Sequence, residues 1–344
     1  MADTVRGLAP AGQLALLISA AGGPEVLQPR RIARPMPGEE ELLIQVCFAG
    51  VNRHDCNQRR RGPTPAHSDV PGLEVAGVVQ AVGARVRGFA PGDRVCALTD
   101  GGGYAEFVAA PAAHAFRLGG QVSLAQAAAL PEAMFTIWHN FFGVAQLGPG
   151  ETVLIHGGTS GVGSLAIQVL TQLGHAVHVT CGSDEKCALA LGLGARAAID
   201  YRREDFVQRI AELTQGRGVD VILDMAGGRY GAQNVQALAR RGRLVHLSPG
   251  EGADFAAPLR EIMAREARVT GSLLRPLPEH EKTAIAQRLR QVVWPLVEAG
   301  TVRPLIQRVF ALRDAAQAHA SLESGDGAGK ILLQAIDTDE TRND

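Results

Sequence analysis

The chain has 344 residues, with 34 Lys and Arg against 35 Asp and Glu, so its formal charge is −1. This length suggests roughly two domains, each large enough to bury its own core. A charge so close to zero argues against a protein that binds nucleic acid or an anionic membrane through electrostatics, so we expect a small-molecule partner. The 41 glycines predict many tight turns.

The cysteines and the first residues bear on the cellular compartment. The five cysteines are odd in number and form no CxxC pair: Cys47, Cys56, Cys96, Cys181 and Cys187. This pattern argues against a disulfide framework and a cysteine-rich zinc lobe, and it favours a reducing compartment. The N-terminus lacks a basic region followed by a long apolar stretch, and no apolar run reaches the roughly 18 residues of a membrane span. We therefore expect a soluble, cytoplasmic protein without membrane partners.

From about residue 14 to 116, short β-like runs alternate with turns that contain Gly, Pro or Asp. The runs are LALLISA, ELLIQVCFAGVN, LEVAGVVQAVG, DRVCAL and YAEFVAA. Such spacing predicts a mostly antiparallel β domain.

After about residue 123, compact apolar runs alternate with segments of helical spacing. The apolar runs are TVLIHGG, HAVHVTC, RAAID, VDVILDMAGG, GRLVHLSPG and RVTGSLL. Alternating strands and helices predict βαβ units, and six strands match the doubly wound parallel sheet of a dinucleotide-binding (Rossmann) domain. The fold class is therefore α/β.

The stretch from about residue 276 has helical segments through residue 298 and around 312–322, and it ends in the apolar run KILLQAI. This last run needs a sheet to join, and the N-terminal β domain has edges to offer. We predict a discontinuous domain of residues 1–130 and 276–344, and a Rossmann domain of residues 131–275.

The strongest chemical signal is a glycine-rich turn within residues 152–174, between an apolar strand and an amphipathic helix. Backbone N–H groups at a helix N-terminus suit a pyrophosphate, and glycines allow the backbone to approach it. Glycine turns of this kind are common, but the strand before it and the βαβ units after it are the expected context. The predicted cofactor contacts in the turn are Gly158, Thr159, Ser160, Gly161 and Val162.

The end of the second strand of this region bears on the choice of cofactor. An acidic residue there would bind the ribose 2′-OH of NAD, but the strand ends in Cys181, Gly182 and Ser183. The Ser183 hydroxyl, the Lys186 charge and the Tyr201 hydroxyl could bind a 2′-phosphate, so NADPH is favoured over NADH. Two observations argue against NADPH. The carboxylates of residues 184 and 185 lie next to Lys186 in the sequence, and Lys186 could instead lie on a solvated helix face.

These features together resemble the zinc-free quinone oxidoreductase (zeta-crystallin-like) family of the medium-chain dehydrogenase/reductase superfamily. The resemblance covers about residues 14–335. The resemblance rests on six segments, AGVNRHDCNQRRRG, PGLEVAGVVQAVG, GDRVCAL, GGGYAEFV, AAALPEAMFTIWHNF and HGGTSGVGSLAIQ. It implies that the β domain is GroES-like and that NADPH transfers hydride to a quinone or another electron-poor carbonyl compound.

Zinc-dependent members of this superfamily carry a ligand Cys and a ligand His where this chain has Asn52 and Leu73. Asn is a poor zinc ligand and Leu cannot be one. The four-cysteine structural lobe is missing as well. We therefore expect no metal in the site.

The resemblance also implies several site residues. Thr136, His139 and Asn140 share one face of a predicted helix; Thr136 corresponds to a cofactor contact, and His139 is the candidate proton donor or orienter, although a packing histidine is an equal alternative. Asn52, in place of the zinc cysteine, corresponds to a catalytic substrate or nicotinamide contact, or else stabilises a turn. The remaining implied cofactor contacts are Met225, Ser248, Leu273, Leu274, Arg275 and Lys330.

The family relationship further implies a homodimer formed through the last strand of the Rossmann sheet, near residues 269–274. Two alternatives to a quinone reductase remain open at this stage. One is an enone or enoyl-thioester reductase, since conjugate hydride addition uses the same fold and cofactor. The other is a non-catalytic, crystallin-like protein that binds NADPH.

Overall fold

The computed structural model describes residues 12–64, 68–250 and 254–336. It divides into two compact units, Met1–Glu132 with Ile306–Asp344 and Ala133–Leu305. Within the described residues, none of the helices combines the length and the apolar character that crossing a membrane requires.

The described strands follow the predicted runs closely. In chain order they are β1 Gly12–Ile18, β2 Leu27–Ala33, β3 Glu41–Val51, β4 Glu74–Val82, β5 Arg94–Leu98, β6 Phe107–Pro111, β7 Ala115–Arg117, β8 Thr152–His156, β9 Ala176–Cys181, β10 Ala197–Asp200, β11 Val219–Asp224, β12 Leu238–His246, β13 Arg268–Gly271, β14 Ile306–Ala311 and β15 Lys330–Gln334.

Most of the described helices lie in the second unit. In chain order they are α1 Arg53–Arg61, α2 Leu124–Ala128, α3 Pro131–Ile137, α4 Gly161–Gln172, α5 Asp184–Gly192, α6 Phe206–Leu213, α7 Gly231–Ala237, α8 Leu259–Arg265, α9 Glu279–Val292, α10 Trp294–Glu298 and α11 Ala315–Ser324.

The first unit is built around a seven-stranded sheet in the order β14-β15-β3-β4-β5-β7, with β6 also paired to β3. Only β14 and β15 pair in parallel; the other pairs of this sheet are antiparallel. The C-terminal β15 lies antiparallel to β3, with Ile331 opposite Val51. The predicted antiparallel domain, completed by the C-terminus, is confirmed, and one buried apolar cluster packs against its sheet.

The second unit contains a six-stranded parallel sheet in the order β10-β9-β8-β11-β12-β13. Counted from its first strand, this order is 3-2-1-4-5-6, the order of a dinucleotide-binding sheet. All six predicted runs form strands of this sheet. The Rossmann architecture is therefore confirmed.

The boundary at which the chain returns from the second unit to the first lies later in the sequence than predicted. Residues 276–305 belong to the second unit, whereas the predicted boundary was 275/276. The Gln168 side chain of α4 donates to the Arg303 carbonyl oxygen (2.8 Å) and accepts from the Arg303 amide (3.0 Å). These bonds hold the segment after α10 against the second unit, and an apolar pattern alone does not reveal such a pairing.

The helix that begins at Pro131 changes its winding. It is α-helical to Ile137 and continues as a π-helical segment over Trp138–Val144. The Ala145 amide accordingly donates to the Asn140 carbonyl oxygen, five residues back, at 2.8 Å. The prediction of α-helical spacing is therefore wrong for the second half of this stretch.

Candidate functional site

The glycine-rich turn lies between β8 and α4, as predicted. Gly158 lies so close to β9 that a Cβ built on it would be 2.6 Å from Cβ of Val179. The Ser160 hydroxyl accepts from the Gly163 amide (3.0 Å) and caps α4. Gly161 and Val162 are the first two residues of α4, so no carbonyl oxygen of the helix lies four residues before them. Their amide N–H groups are therefore suited to an anion.

Three residues predicted to bind a 2′-phosphate lie near the ends of β9 and β10. Tyr201 is exposed, and its hydroxyl oxygen would be 2.8 Å from a Cβ built on Gly182. Ser183 caps α5, because its oxygen accepts from the Lys186 amide (3.3 Å). Its hydroxyl group also bonds to Glu185, which lowers the pKa of that carboxyl group. The Ser183 proton is thus engaged here, whereas the sequence analysis expected it to be free.

Arg203 also lies in this region, and the sequence analysis did not name it as a candidate contact. The two arginines that follow Tyr201 in the sequence could have indicated it. Its guanidinium group pairs with the Asp184 carboxylate at 2.6 Å. Asp184 is one of the two acidic residues that counted against NADPH. Its negative charge is therefore compensated by a neighbouring cation.

An open cavity of about 540 Å³ lies at the carboxyl ends of β12 and β13. Ser248 and Leu273, both predicted contacts, line it together with His246, Phe255 and Ser272. The predicted residues Met225, Leu274 and Arg275 are not among its lining residues. Met225 instead contacts the glycine-rich turn, where the Ser160 hydroxyl lies 3.8 Å from its sulfur.

A chain of buried polar side chains runs below this cavity and was missed by the sequence analysis. Asp224, fully buried, accepts from His246 Nδ1 (3.2 Å) and from Asn234 Nδ2 (3.0 Å). Asn234 Oδ1 in turn bonds to His156 Nε2 at 2.7 Å, and His156 Nδ1 bonds to Thr180 Oγ1 at 2.9 Å. The bond from His246 helps to lower the pKa of Asp224, so this carboxyl group is ionised at neutral pH even though burial opposes it.

The residues predicted on one helix face lie on both sides of the start of the π-helical segment, with Thr136 in α3 and His139 and Asn140 in the π-helical turns. Thr136 and Asn140 are buried, and Asn140 Nδ2 donates to the Thr136 carbonyl oxygen at 2.8 Å. His139 is half-buried; desolvation lowers its pKa, and the Glu281 carboxylate opposes this shift. A lowered pKa keeps the imidazole neutral at pH 7, so His139 fits a hydrogen-bonding role better than that of a charged acid.

In the first unit the structure brings together two predicted residues that are far apart in sequence. Lys330 Nζ donates to Asn52 Oδ1 at 2.6 Å and also to Glu74 Oε1. Asn52 Nδ2 donates to the same Glu74 oxygen at 2.9 Å, and all three side chains are buried. Gly50 makes room for this cluster, since a Cβ on it would overlap the Glu74 carboxylate.

A second buried polar chain orders the backbone at Asn52. Asp55 Oδ2 accepts from the Asn52 amide (2.8 Å) and from the Tyr104 hydroxyl (3.1 Å). His319 Nε2 donates to that hydroxyl oxygen (3.0 Å), because its Nδ1 accepts from Arg59 (3.4 Å). Burial raises the pKa of Asp55 to about 6 and lowers that of His319 to about 3. Tyr104 is fully buried, and its hydroxyl group links Asp55 to His319.

The residues at the former zinc positions do not fit a metal ion. The Asn52 amide oxygen accepts from the Lys330 ammonium group, which would repel a divalent cation, and Leu73 offers no ligand atom. Among the residues that the structure describes, no group of three or more His, Cys, Asp or Glu side chains could hold a metal.

Comparisons with known proteins agree with this architecture. Residues 38–120 match the alcohol dehydrogenase GroES-like domain, and residues 161–290 match the family model described as zinc-binding dehydrogenase. The chain is 32% identical over 324 residues to the quinone oxidoreductase of Lama guanicoe, covering 93% of this chain and 96% of that one.

Solved structures show the same similarity. The quinone oxidoreductase of Pseudomonas syringae pv. Tomato aligns with a TM-score of 0.84 at 32% identity, over 94% of this chain and all of that one. The Escherichia coli quinone oxidoreductase complexed with NADPH aligns with a TM-score of 0.81 at 30% identity, over the same shares of the two chains.

Proposed function

Because the chain belongs to the quinone oxidoreductase family of the medium-chain dehydrogenase/reductase superfamily, we propose that it is an NADPH-dependent, metal-independent reductase. Its acceptor is a quinone or a related electron-poor carbonyl compound. The observation that carries this proposal is the glycine-rich turn after the first strand of a 3-2-1-4-5-6 sheet, with an ion pair between Arg203 and Asp184 beyond the end of the second strand.

NADPH supplies the hydride, and the protein supplies binding and electrostatics. The amides of Gly161 and Val162 are suited to the pyrophosphate, while Lys186, Tyr201 and Arg203 are suited to the 2′-phosphate. Thr159 and Ser160 complete the turn around the phosphates. Thr136, Met225, Ser248 and Leu273 to Arg275 are the further proposed contacts of this unit.

The acceptor gains negative charge on oxygen when hydride arrives, so a nearby donor would lower the barrier. His139 is the proposed donor or orienter in the second unit, acting as a neutral imidazole. Asn52 and Lys330 are the proposed polar contacts of the first unit. The Lys330 ammonium group has three protons, of which Asn52 and Glu74 take two.

Rapid mixing of the enzyme with NADPH and ortho-quinones, para-quinones or enones tests the proposal. We expect oxidation of NADPH with quinones at a higher kcat/KM than with enones. Faster turnover of enones would replace the proposed acceptor with a conjugated double bond. Binding of NADPH without oxidation by any acceptor would leave the non-catalytic, crystallin-like role.

Cofactor choice is tested with the same assay. We expect Lys186→Ala and Arg203→Ala to weaken NADPH much more than NADH. The matched control is Arg241→Ala, which removes an exposed arginine that pairs with Glu266, remote from the carboxyl end of β12. If the ratio of NADPH to NADH affinity stays the same in both variants, the 2′-phosphate assignment is wrong.

We also propose a cytoplasmic homodimer that forms through β13. Within the described residues β13 pairs only with β12, so its other edge is open. Exposed apolar side chains lie on β13 (Val269), just after it (Leu273), and on α8 (Leu259 and Met263). Sedimentation of the wild type should give a dimer, and Val269→Asp should give a monomer; a monomeric wild type would refute the proposal.

A further inference from the structure

The chain of buried polar side chains crosses the sheet of the second unit where its strand order reverses. Four of its members, Thr180, His156, Asp224 and His246, lie at the carboxyl ends of the neighbouring strands β9, β8, β11 and β12. The fifth, Asn234, comes from α7 and bonds to both His156 and Asp224. Because the order reverses between β8 and β11, the Asn234 side chain joins the two halves of the sheet.

One charge sets the direction of the hydrogen bonds in this chain. Asp224 Oδ1 accepts from the amides of Ala226 (2.7 Å) and Gly227 (3.0 Å), and its Oδ2 accepts from Asn234 Nδ2 (3.0 Å) and His246 Nδ1 (3.2 Å). An ionised carboxylate surrounded by these donors can only accept. The NH2 group of Asn234 must therefore face Asp224, since the reverse orientation would place the amide oxygen against the carboxylate.

The orientation of the Asn234 amide selects the tautomer of His156. Asn234 Oδ1 lies 2.7 Å from His156 Nε2, so Nε2 must carry the proton of this bond. Burial lowers the pKa of His156, so the ring is neutral at pH 7 and Nδ1 carries a lone pair. The Thr180 hydroxyl must then donate to Nδ1 at 2.9 Å. The other tautomer would bring two lone pairs together between His156 and Asn234.

Thr180 and His156 hold the start of the glycine-rich turn. The Thr180 carbonyl oxygen accepts from the amides of Gly157 (3.1 Å) and Gly158 (3.0 Å). His156 directly precedes Gly157, and its side chain accepts from the Thr180 hydroxyl. Three hydrogen bonds to one residue of β9 therefore fix the point where the turn leaves β8. The first amides of α4 follow this anchored segment, so their direction depends on it.

The surroundings of His156 make its bond to Asn234 hard to replace. Both side chains are at most 1% exposed. The His156 ring stacks on Tyr230 with 5.4 Å between centroids, and it meets Phe206 edge-on at 4.9 Å. Solvent cannot substitute for Asn234 unless these rings separate, so its loss would leave a buried N–H group without an acceptor.

We propose that Asn234 is a positioning residue for the pyrophosphate of the cofactor, which acts by fixing the tautomer of His156 and with it the start of the glycine-rich turn. The inference rests on the proposed function, because it takes this turn as the site of the NADPH pyrophosphate. Through Asp224, the same side chain ties the turn to the segment that follows β11. The loops on the two sides of the strand reversal therefore keep a fixed spacing.

The test compares two ligands that differ in their use of the turn. One is 2′-phospho-ADP-ribose, which carries the pyrophosphate; the other is adenosine 2′-monophosphate, which has the 2′-phosphate but no phosphate at the 5′ position. We expect Asn234→Leu to weaken 2′-phospho-ADP-ribose about tenfold, the effect of one lost hydrogen bond, and to change adenosine 2′-monophosphate less than about twofold. Isothermal titration measures the first dissociation constant, and displacement of NADPH, followed by its fluorescence, measures the second.

The conservative variant Asn234→Asp should rescue binding of 2′-phospho-ADP-ribose at pH 6. Its carboxyl group has the shape of the amide, and beside the ionised Asp224 it must keep a proton, which it donates as the amide does. We expect its affinity to stay within about twofold of the wild type at the same pH. The matched control is Gln236→Leu, which removes an exposed amide from the same helix and should bind both ligands as the wild type does.

Thr180→Val tests the other end of the chain independently of Asn234. It removes the hydroxyl that donates to His156 and keeps a β-branched side chain. We expect it to weaken 2′-phospho-ADP-ribose about threefold and to leave adenosine 2′-monophosphate unchanged. If circular dichroism shows that Asn234→Leu does not fold, this variant decides: a selective loss supports the positioning role, and no loss overturns it.

Equal loss of affinity for both ligands in folded Asn234→Leu, or no loss for either, would overturn the positioning role and leave the proposed function standing. A folded Asn234→Asp that binds as weakly as Asn234→Leu at pH 6 would also overturn it, because the direction of the hydrogen bonds would then not matter. A wild type that binds neither NADPH nor 2′-phospho-ADP-ribose would overturn both the positioning role and the proposed function.

Discussion

Gly158 provides a direct test of how closely the glycine-rich turn must approach the sheet. Its amide donates to the Thr180 carbonyl oxygen at 3.0 Å, which holds the turn against β9. A methyl group at this position would lie 2.6 Å from both Cβ and Cγ2 of Val179, whereas ordinary contacts begin at 3.4 Å. Val179 is completely buried and β-branched, so its side chain cannot rotate away.

Gly158→Ala must therefore move the turn from β9 by about 0.8 Å, the difference between those two distances. Overpacking of a well-filled interior typically costs about 1–3 kcal/mol. The loss of chain entropy in the unfolded state returns only about 0.4–1 kcal/mol. We expect a net loss of about 1–2 kcal/mol in the free energy of unfolding, together with weaker binding of NADPH.

Urea unfolding followed by tryptophan fluorescence measures this loss in the relevant unit, because both tryptophans, Trp138 and Trp294, lie in it. The matched control is Gly192→Ala in α5, where a Cβ meets no atom within 4 Å. That change should stabilise the protein by about 0.5–1 kcal/mol through helix propensity. Equal effects of the two substitutions would refute the argument from close approach.

Three further predictions concern buried charge and pH. Burial and nearby arginines lower the pKa of His319 from 6.5 to about 3, so the unfolded chain binds an extra proton as pH falls below 6.5. Urea unfolding followed by far-UV circular dichroism should therefore show about 3 kcal/mol less acid destabilisation between pH 7 and 4 in His319→Gln than in the wild type. Identical pH dependence of the two proteins would contradict the lowered pKa. Lys330→Met should lower the free energy of unfolding by about 3–5 kcal/mol, because it leaves the Glu74 carboxylate buried without its cation. In a double-mutant cycle, adding Glu74→Gln should restore part of this loss. Additive effects of the two substitutions would show that the pair is not coupled. Arg243→Ala removes a paired guanidinium group that bonds Glu151 at 2.9 Å and should cost about 1–2 kcal/mol in the same assay, whereas no change would show that this pair does not contribute.

The sequence predicted those parts of the fold that depend on local pattern. Apolar runs bounded by turns located all six strands of the parallel sheet, and an apolar run with no other sheet to join placed β15 in the sheet of the first unit. That β15 pairs with β3 was not predicted. Three strands, β2, β7 and β14, were not anticipated. The sequence of β2 is LQPRRIA, with a proline and two arginines, and its exposed position beside β1 alone explains why it lacks an alternating apolar pattern.

Candidate site residues could be predicted from local sequence only where they are neighbours in the chain, as in the glycine-rich turn. Lys330 and Asn52 were named separately from the family resemblance, and only the pairing of β15 with β3 brings them into contact. His246 and Ser272 had no local signal. Their hydrogen bonds are made to residues on other elements, Asp224 and Asn140, which a local pattern does not reveal.

The discontinuity of the first unit has a consequence for synthesis on the ribosome. Residues 133–305 form a continuous unit that can fold as soon as it emerges, whereas β3 and Glu74 must wait for β15 at the other end of the chain. Until Lys330 has been translated, the Glu74 carboxylate has no cation, and the edge of β3 that receives β15 is unpaired. A chain that ends before residue 330 and is released from the ribosome should therefore hold a folded second unit and an open, aggregation-prone sheet.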